Sequence, residues 1–175
     1  IETIWKDTFT LEKCVTFEEC ETINDVKRYY ERIGYYIAML FIMNGNDMHY
    51  ENLIAHKDYP VLVDLETLFS RGGEQMLFTG SSTERIIRFI NHSVSGSCLL
   101  PSYMFRNQEN KGVDVSGLGG KKAAIPQKTL VLSSFEEDDI KYEMKTGYIN
   151  NHNNIPILDG KRMDYKEYTD CMLIG

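Results

Sequence analysis

The chain has 175 residues, of which 42% are hydrophobic and 26% charged, and its formal charge is −7. That size and mix are those of one globular domain able to bury a core without staples. The acidic balance argues against nucleic acid as a partner, since phosphate-backbone binders carry a basic face. Four cysteines (Cys14, Cys20, Cys98, Cys171) show no CxxC spacing and read as reduced thiols of a cytoplasmic protein. The longest apolar stretch, Tyr35 to Met43, is too short to span a bilayer, and no secretory signal opens the chain. The first residue is Ile1, so the sequence reads as a piece of a longer protein.

In chain order, residues 22–44 carry the strongest helical pattern. Thr22 and Asp25 fit a capping box, and Val26, Tyr30, Ile33, Ile37, Leu40 and Phe41 recur on one face. Gly45 stands where a C-terminal stop is expected, and Gly34 marks a close approach of a neighbouring element. A tight loop, Asn46 to Asn52, leads into two short apolar runs, Leu53–His56 and Val61–Asp64. The turn chemistry of Lys57–Pro60 between them predicts a β-hairpin. Pairing His56 with Val61 would set Leu53 opposite Asp64. A second helix starts near Ser82 with Ile86, Ile87 and Ile90 as its buried side. Residues 107–128 are glycine-rich and predict a loop, a strand covers Thr129–Leu132, 148–159 is irregular, and the last 16 residues are helical. The acidic run Phe135–Asp139 reads as a solvated turn or helix start.

The hairpin carries the chemistry. Neighbouring strands lie about 4.8 Å apart, so Asn52 and Asp64 at one end of it could reach a common cation. Asp47 and His49 stand just upstream, in the entering loop. Two carboxylates, an amide and an imidazole at one end of a small motif suit phosphoryl transfer. Mg²⁺ takes hard oxygen ligands, usually one or two from side chains, and phosphates and water complete its shell. A further carboxylate can orient the attacking hydroxyl, and an imidazole can donate to the phosphoryl group as its charge develops.

Asp47-Met48-His49-Tyr50-Glu51-Asn52, followed by Asp64 at the end of the next strand, resembles the catalytic loop and metal-binding aspartate of lipid kinases. The wider block is more specific. Arg32-Ile33-Gly34-Tyr35, Asn44 through Ala55, and Pro60 through Phe69 together resemble the dehydratase domain of class II lanthipeptide (lanthionine) synthetases. Weaker echoes are Ser93-Val94, Leu99-Leu100-Pro101, Asp114 through Leu118, and Asn154-Ile155-Pro156. Asn46 departs from the small residue, such as Thr, commoner there.

The resemblance implies an α+β, kinase-like C-lobe of lipid-kinase type, mainly helical, with a catalytic-loop hairpin. It also implies an activity of lantibiotic biosynthesis. Ser and Thr of a precursor (leader–core) peptide are phosphorylated with ATP and Mg²⁺, and phosphate is eliminated to leave dehydroalanine or dehydrobutyrine. A separate cyclase domain, which binds Zn²⁺, then adds cysteine thiols. Asp47 would act on the substrate hydroxyl, His49 would touch the phosphoryl group, and Asn52 and Asp64 would hold the metal. Glu66 would support the metal or the elimination step. On this reading residues 1–175 are the C-lobe portion of one dehydratase domain. The N-lobe, the elimination arginine and the cyclase are expected outside the chain, which alone would lack both activities.

Other features read as structural. Gly117-Leu118-Gly119-Gly120-Lys121 lacks the glycine and the Ser/Thr that a Walker A loop needs at 115 and 122, where Val115 and Lys122 stand. His56, His92 and His152 lack ligand spacing and read as surface or loop histidines. Cys98 reads as a buried thiol, and Tyr29, Tyr30, Tyr35 and Tyr36 as helix packing with hydroxyls at the rim. Two alternatives use the same four residues differently: a lipid or small-molecule kinase, and a peptide-binding module that has lost its chemistry.

Overall fold

A computed structural model of the chain describes residues 3–69, 81–109, 111–133 and 141–175. The acidic run 135–139 lies outside the described residues. Among the described residues the architecture is mixed α and β: five separate two-stranded antiparallel ribbons, the first pairing β1 (Thr3–Trp5) with β2 (Thr10–Glu12), and three α-helices. No helix among the described residues is long and apolar enough to cross a membrane.

The central helix α1 runs Ile23–Ile42. Its capping box forms as the sequence predicts: the Asp25 amide donates to Thr22 Oγ1 (3.3 Å), and the Thr22 amide donates to Asp25 Oδ2 (2.7 Å). Its C-terminus differs in detail. Asn44, not Gly45, takes the left-handed conformation (φ 49°). The Asn44 amide donates to Phe41 O (3.3 Å) and the Gly45 amide to Leu40 O (2.8 Å), which together make a Schellman end. Gly34 does mark a close approach, because a Cβ there would lie 2.2 Å from the carbonyl oxygen of Met172. Met172 belongs to the short helix α3, Thr169–Ile174.

Val26, Tyr29, Tyr30, Ile33 and Leu40 of α1 are fully buried against Met48, Leu53, Ala55, Leu99, Leu118 and Ile155. Tyr29 and Tyr30 correct the rim expectation. Both rings lie in the core, where each hydroxyl donates to a backbone carbonyl: Tyr29 to Asn154 O (2.7 Å) and Tyr30 to Met163 O (2.6 Å). A buried hydroxyl must find such a partner, and these two tie α1 to the far end of the chain. Tyr36 is half-buried and donates to Pro60 O (2.8 Å), whereas Tyr35 is exposed.

The hairpin pairs β3 (Leu53–His56) with β4 (Tyr59–Leu62). Its register joins Leu53 to Leu62 and His56 to Tyr59, two residues from the pairing expected. The turn is Lys57-Asp58 alone, with Lys57 at φ 53° as the first central residue of a two-residue loop. A slip of two leaves every side chain on its own face, so apolar alternation cannot distinguish the two registers. Tertiary contacts settle it. Asp58 accepts from Arg28 (2.9 Å) and from Arg32 (2.8 Å), and the Arg32 guanidinium stacks 3.6 Å from the Tyr59 ring centroid. Beside β3, the Ala55 amide donates to Asn153 O (2.7 Å) and the Lys57 amide to Glu18 O (2.9 Å).

The remaining elements depart further from expectation. Helix α2 (Ser82–Asn91) forms, yet Ile86, Ile87 and Ile90 are exposed. Strands β5 (Tyr103–Met104) and β6 (Val113–Asp114) make a small ribbon, and β7 (Ala123–Ser133) pairs with β8 (Lys141–Ile149) over a longer span than the strand predicted. The stretch 113–120 is not a loose loop, because Val115 through Gly120 are all buried. The end of the chain is partly helical. A ribbon of β9 (Ile157–Leu158) and β10 (Lys161–Arg162) precedes a 3-10 turn and α3.

Candidate functional site

The loop between α1 and β3 is held from three sides. The Met48 amide donates to Ser97 O (2.9 Å), and the Tyr50 amide to Val115 O (3.3 Å). Thr67 Oγ1 donates to Asn46 O, and the Phe69 amide to Met43 O (2.8 Å). Met48 is fully buried and Leu53 nearly so, which pins both ends of the loop into the core. Between those pins Asp47 takes a left-handed φ of 62° and leaves its side chain 61% exposed. Such strain in a non-glycine residue costs of order 1–3 kcal/mol, and persists because the surrounding contacts over-determine it.

His49 caps a 3-10 turn, Tyr50–Asn52, and its Nδ1 accepts from the Glu51 amide (3.2 Å). A neutral imidazole that accepts at Nδ1 carries its proton on Nε2. That nitrogen lies 4.0 Å from Asp47 Oδ1, while the Glu51 carboxylate is 3.9 Å from Nδ1. Asn52 donates its side-chain Nδ2 to the Asp47 carbonyl (2.9 Å), so Oδ1 is the end of the amide a cation would use. The Val63 amide donates to Asn52 O (3.1 Å), which continues the hairpin one step beyond the last strand pair. Asp64 follows directly. The shorter turn therefore sets Asp64 one residue past the Asn52–Val63 pair instead of opposite Leu53.

Asp47, His49 and Asn52 thus meet within the entering loop, and Asp64 stands at the same end of the hairpin, one residue beyond Val63. Glu66 differs. Strand β4 ends at Leu62, so no continuing strand carries Glu66 onto the Asp64 face. Its backbone amide instead donates to Asp64 Oδ1 (3.2 Å), and its side chain is exposed. Asn52 Oδ1 and the Asp64 carboxylate are the hard oxygen donors available here to a Mg²⁺ ion, which needs few protein ligands. No group of three or more His, Cys, Asp and Glu among the described residues is gathered as a metal site.

Residues that pattern reading set aside support this loop. His49 pairs with Ser116 in an antiparallel bridge, and Ser116 is fully buried. Gly120, at φ 72°, lies so close to Tyr50 that a Cβ would come 2.8 Å from the Tyr50 Cβ. The Asn154 amide donates to Gly117 O (2.8 Å) and Gly119 O (2.9 Å), and Arg162 donates to Gly119 O (3.1 Å). His152 lies in a loop, as expected, and its ring packs 4.3 Å from that of Tyr50. The glycine-rich run is a brace, not a phosphate cradle, and its glycines were the visible signal.

All four cysteines are free thiols. Cys20 is buried, and desolvation pushes its thiol up to about 11. Cys98, expected buried, is half-buried against Val113 and Val115.

Residues 1–175 match in full a protein family described as a domain of unknown function (DUF4135). The chain belongs to this family. It is also similar to the lacticin 481/lactococcin biosynthesis protein LcnDR2 of Lactococcus lactis subsp. lactis, at 26% identity over 143 residues. That alignment covers 82% of this chain and 15% of the relative, so the chain spans only a small part of that protein's length.

Proposed function

We propose that this domain is the phosphoryl-transfer part of a lanthipeptide synthetase dehydratase. The observation that carries the reading is the convergence of Asp47, His49, Asn52 and Asp64 on one hairpin end, in the order and spacing of a lipid-kinase-like catalytic loop. Similarity to a protein named for lacticin 481 biosynthesis supports the peptide as substrate. In this reading the fold is a kinase-like C-lobe, and its helices and ribbons serve to hold the loop.

The substrate is a Ser or Thr hydroxyl of a precursor peptide. Asp47 accepts a hydrogen bond from that hydroxyl and takes its proton as the oxygen attacks the γ-phosphorus of ATP. The new O–P bond forms as the bond to the β-phosphate oxygen breaks, and ADP leaves. His49 offers Nε2–H to the phosphoryl oxygens as negative charge builds on them. Asn52 Oδ1 and the Asp64 carboxylate would hold Mg²⁺, which would supply charge neutralisation at the phosphates. Elimination follows: a base removes the Cα proton, the Cβ–O bond breaks, and phosphate departs to leave the alkene. Glu66 is placed to assist this step or to steady Asp64 through its backbone amide. The rest of the synthetase contributes the nucleotide-gripping lobe and a zinc cyclase, and the four free thiols fit work in the cytoplasm.

The test is mass spectrometry of a Ser/Thr-rich precursor incubated with the full-length protein, ATP and Mg²⁺. Loss of one water per modified residue is expected. A lasting phosphate adduct without water loss would reduce the assignment to a kinase. An unmodified peptide beside phosphorylated lipid or metabolite would overturn it.

A further inference from the structure

A polar cavity of about 410 Å³ lies beside the catalytic loop, lined by Asn44, Gly45, Asn46, Asn91, His92 and Ser93 together with Phe41, Gly96 and Ser97. We propose that this cavity holds the main chain of the acceptor peptide next to the serine or threonine being modified; the proposal rests on the function assigned above.

Position comes first. Asn46 forms one wall and directly precedes Asp47. Ser97 forms another, and its carbonyl accepts from Met48, directly after Asp47. The strained aspartate is thus bracketed in sequence by two points on the cavity's lining. The cavity therefore meets the loop at Asn46, the residue before Asp47, and Asn52 and Asp64 are not among its described lining residues.

Chemistry comes second. Among the described residues the lining has neither Lys nor Arg, and neither Asp nor Glu. A triphosphate would be bound by cations or a metal-holding carboxylate, and nothing in the lining supplies either. The Ser93 and Ser97 hydroxyls donate to Ile90 O and Val94 O, whereas the side-chain amide of Asn91 and the imidazole of His92 present donor and acceptor groups to the cavity. That is what a peptide backbone requires, with one donor and one acceptor at each residue. The volume falls within the roughly 300–1,000 Å³ of pockets that enclose small ligands, so it suits a short extended segment and not a folded partner. Asn91 and His92 lie at the C-terminal end of α2, whose isoleucines are exposed, so their side chains are not committed to a core.

The test uses the full-length protein and a short synthetic peptide containing the acceptor serine. In the double variant Asn91→Ala/His92→Ala, the KM for peptide should rise about three- to ten-fold, the loss expected for one or two neutral hydrogen bonds. The KM for ATP should not follow. His92→Gln, which keeps a donor and an acceptor, should recover much of the peptide KM and excludes a mere folding defect. A raised KM for ATP with an unaltered peptide KM would reassign the cavity to nucleotide, and no change in either would remove its role. Asp47→Ala separates the two claims: if it stays active the phosphoryl-transfer reading fails, whereas an inactive Asp47→Ala with a normal double variant rejects only the cavity.

Discussion

The side-chain amide of Asn52 reaches back five residues and donates to the carbonyl of Asp47 at 2.9 Å. One residue thereby does two jobs: its Nδ2 fixes the strained backbone of Asp47, and its Oδ1 is left for a cation. Asn52→Ala should therefore damage both positioning and metal use. Peptide phosphorylation should fall and the Mg²⁺ concentration for half-maximal rate should rise. Asn52→Asp keeps an oxygen donor but loses the amide donor to Asp47. It should restore metal dependence further than rate, measured by Mg²⁺ titration of initial phosphorylation rates.

Asp47 and Asp64 should behave differently from Glu66. Replacing either aspartate by alanine in the full-length protein should cut peptide phosphorylation by roughly 10²–10⁴-fold, the range for losing a positioned proton acceptor or a metal-held charge. Glu66→Ala removes an exposed side chain while its amide still donates to Asp64. Phosphorylation should survive, and any loss should appear as phosphopeptide accumulating ahead of alkene in a time course. Unchanged turnover in Asp64→Ala would falsify the metal assignment.

Gly34→Ala tests the packing of α3 on α1. A Cβ would stand 2.2 Å from Met172 O, which is backbone and cannot swing aside. The helices would have to part, at a cost of about 1–3 kcal/mol for such overpacking. A lower denaturation midpoint is expected, with α1's own helix content retained by circular dichroism. An unshifted midpoint would show that α3 does not dock against this face.

The Asp58 clamp gives the hairpin a pH dependence. Burial alone would raise the Asp58 carboxyl, but hydrogen bonds and charge from Arg28 and Arg32 outweigh it and hold it below the usual carboxylate range. Because its folded value is depressed, the stabilisation is present above the unfolded carboxylate value of roughly 4 and is lost as pH falls through the folded one. Asp58→Asn should remove that part of the acid sensitivity. Urea midpoints compared at neutral and strongly acid pH should converge between wild type and variant as the pH drops.

Much of this was legible locally. The capping box of Thr22 and Asp25, the apolar face of α1, the hairpin and the sequence order of Asp47, His49, Asn52 and Asp64 follow from short-range rules: capping geometry, periodicity and turn chemistry. The 3.6-residue repeat also exposed Gly34 as a contact point, since only a close neighbour rewards a glycine in a helix interior.

What tertiary structure decided is whatever short-range patterns leave degenerate. Registers two apart present identical faces, and the Arg28–Asp58–Arg32 contacts favour the one that pairs Asn52 with Val63. Isoleucines at helical spacing in α2 announce an amphipathic helix but not what covers it. The glycines at 117 and 119 look like loop until Asn154 and Arg162, more than 30 residues on, take up their carbonyls. Sequence by itself determined which groups could perform the chemistry. The long-range hydrogen bonds to Ser97, Val115 and Met43 decided how closely those groups meet, because a loop's own residues cannot supply the contacts that hold it strained.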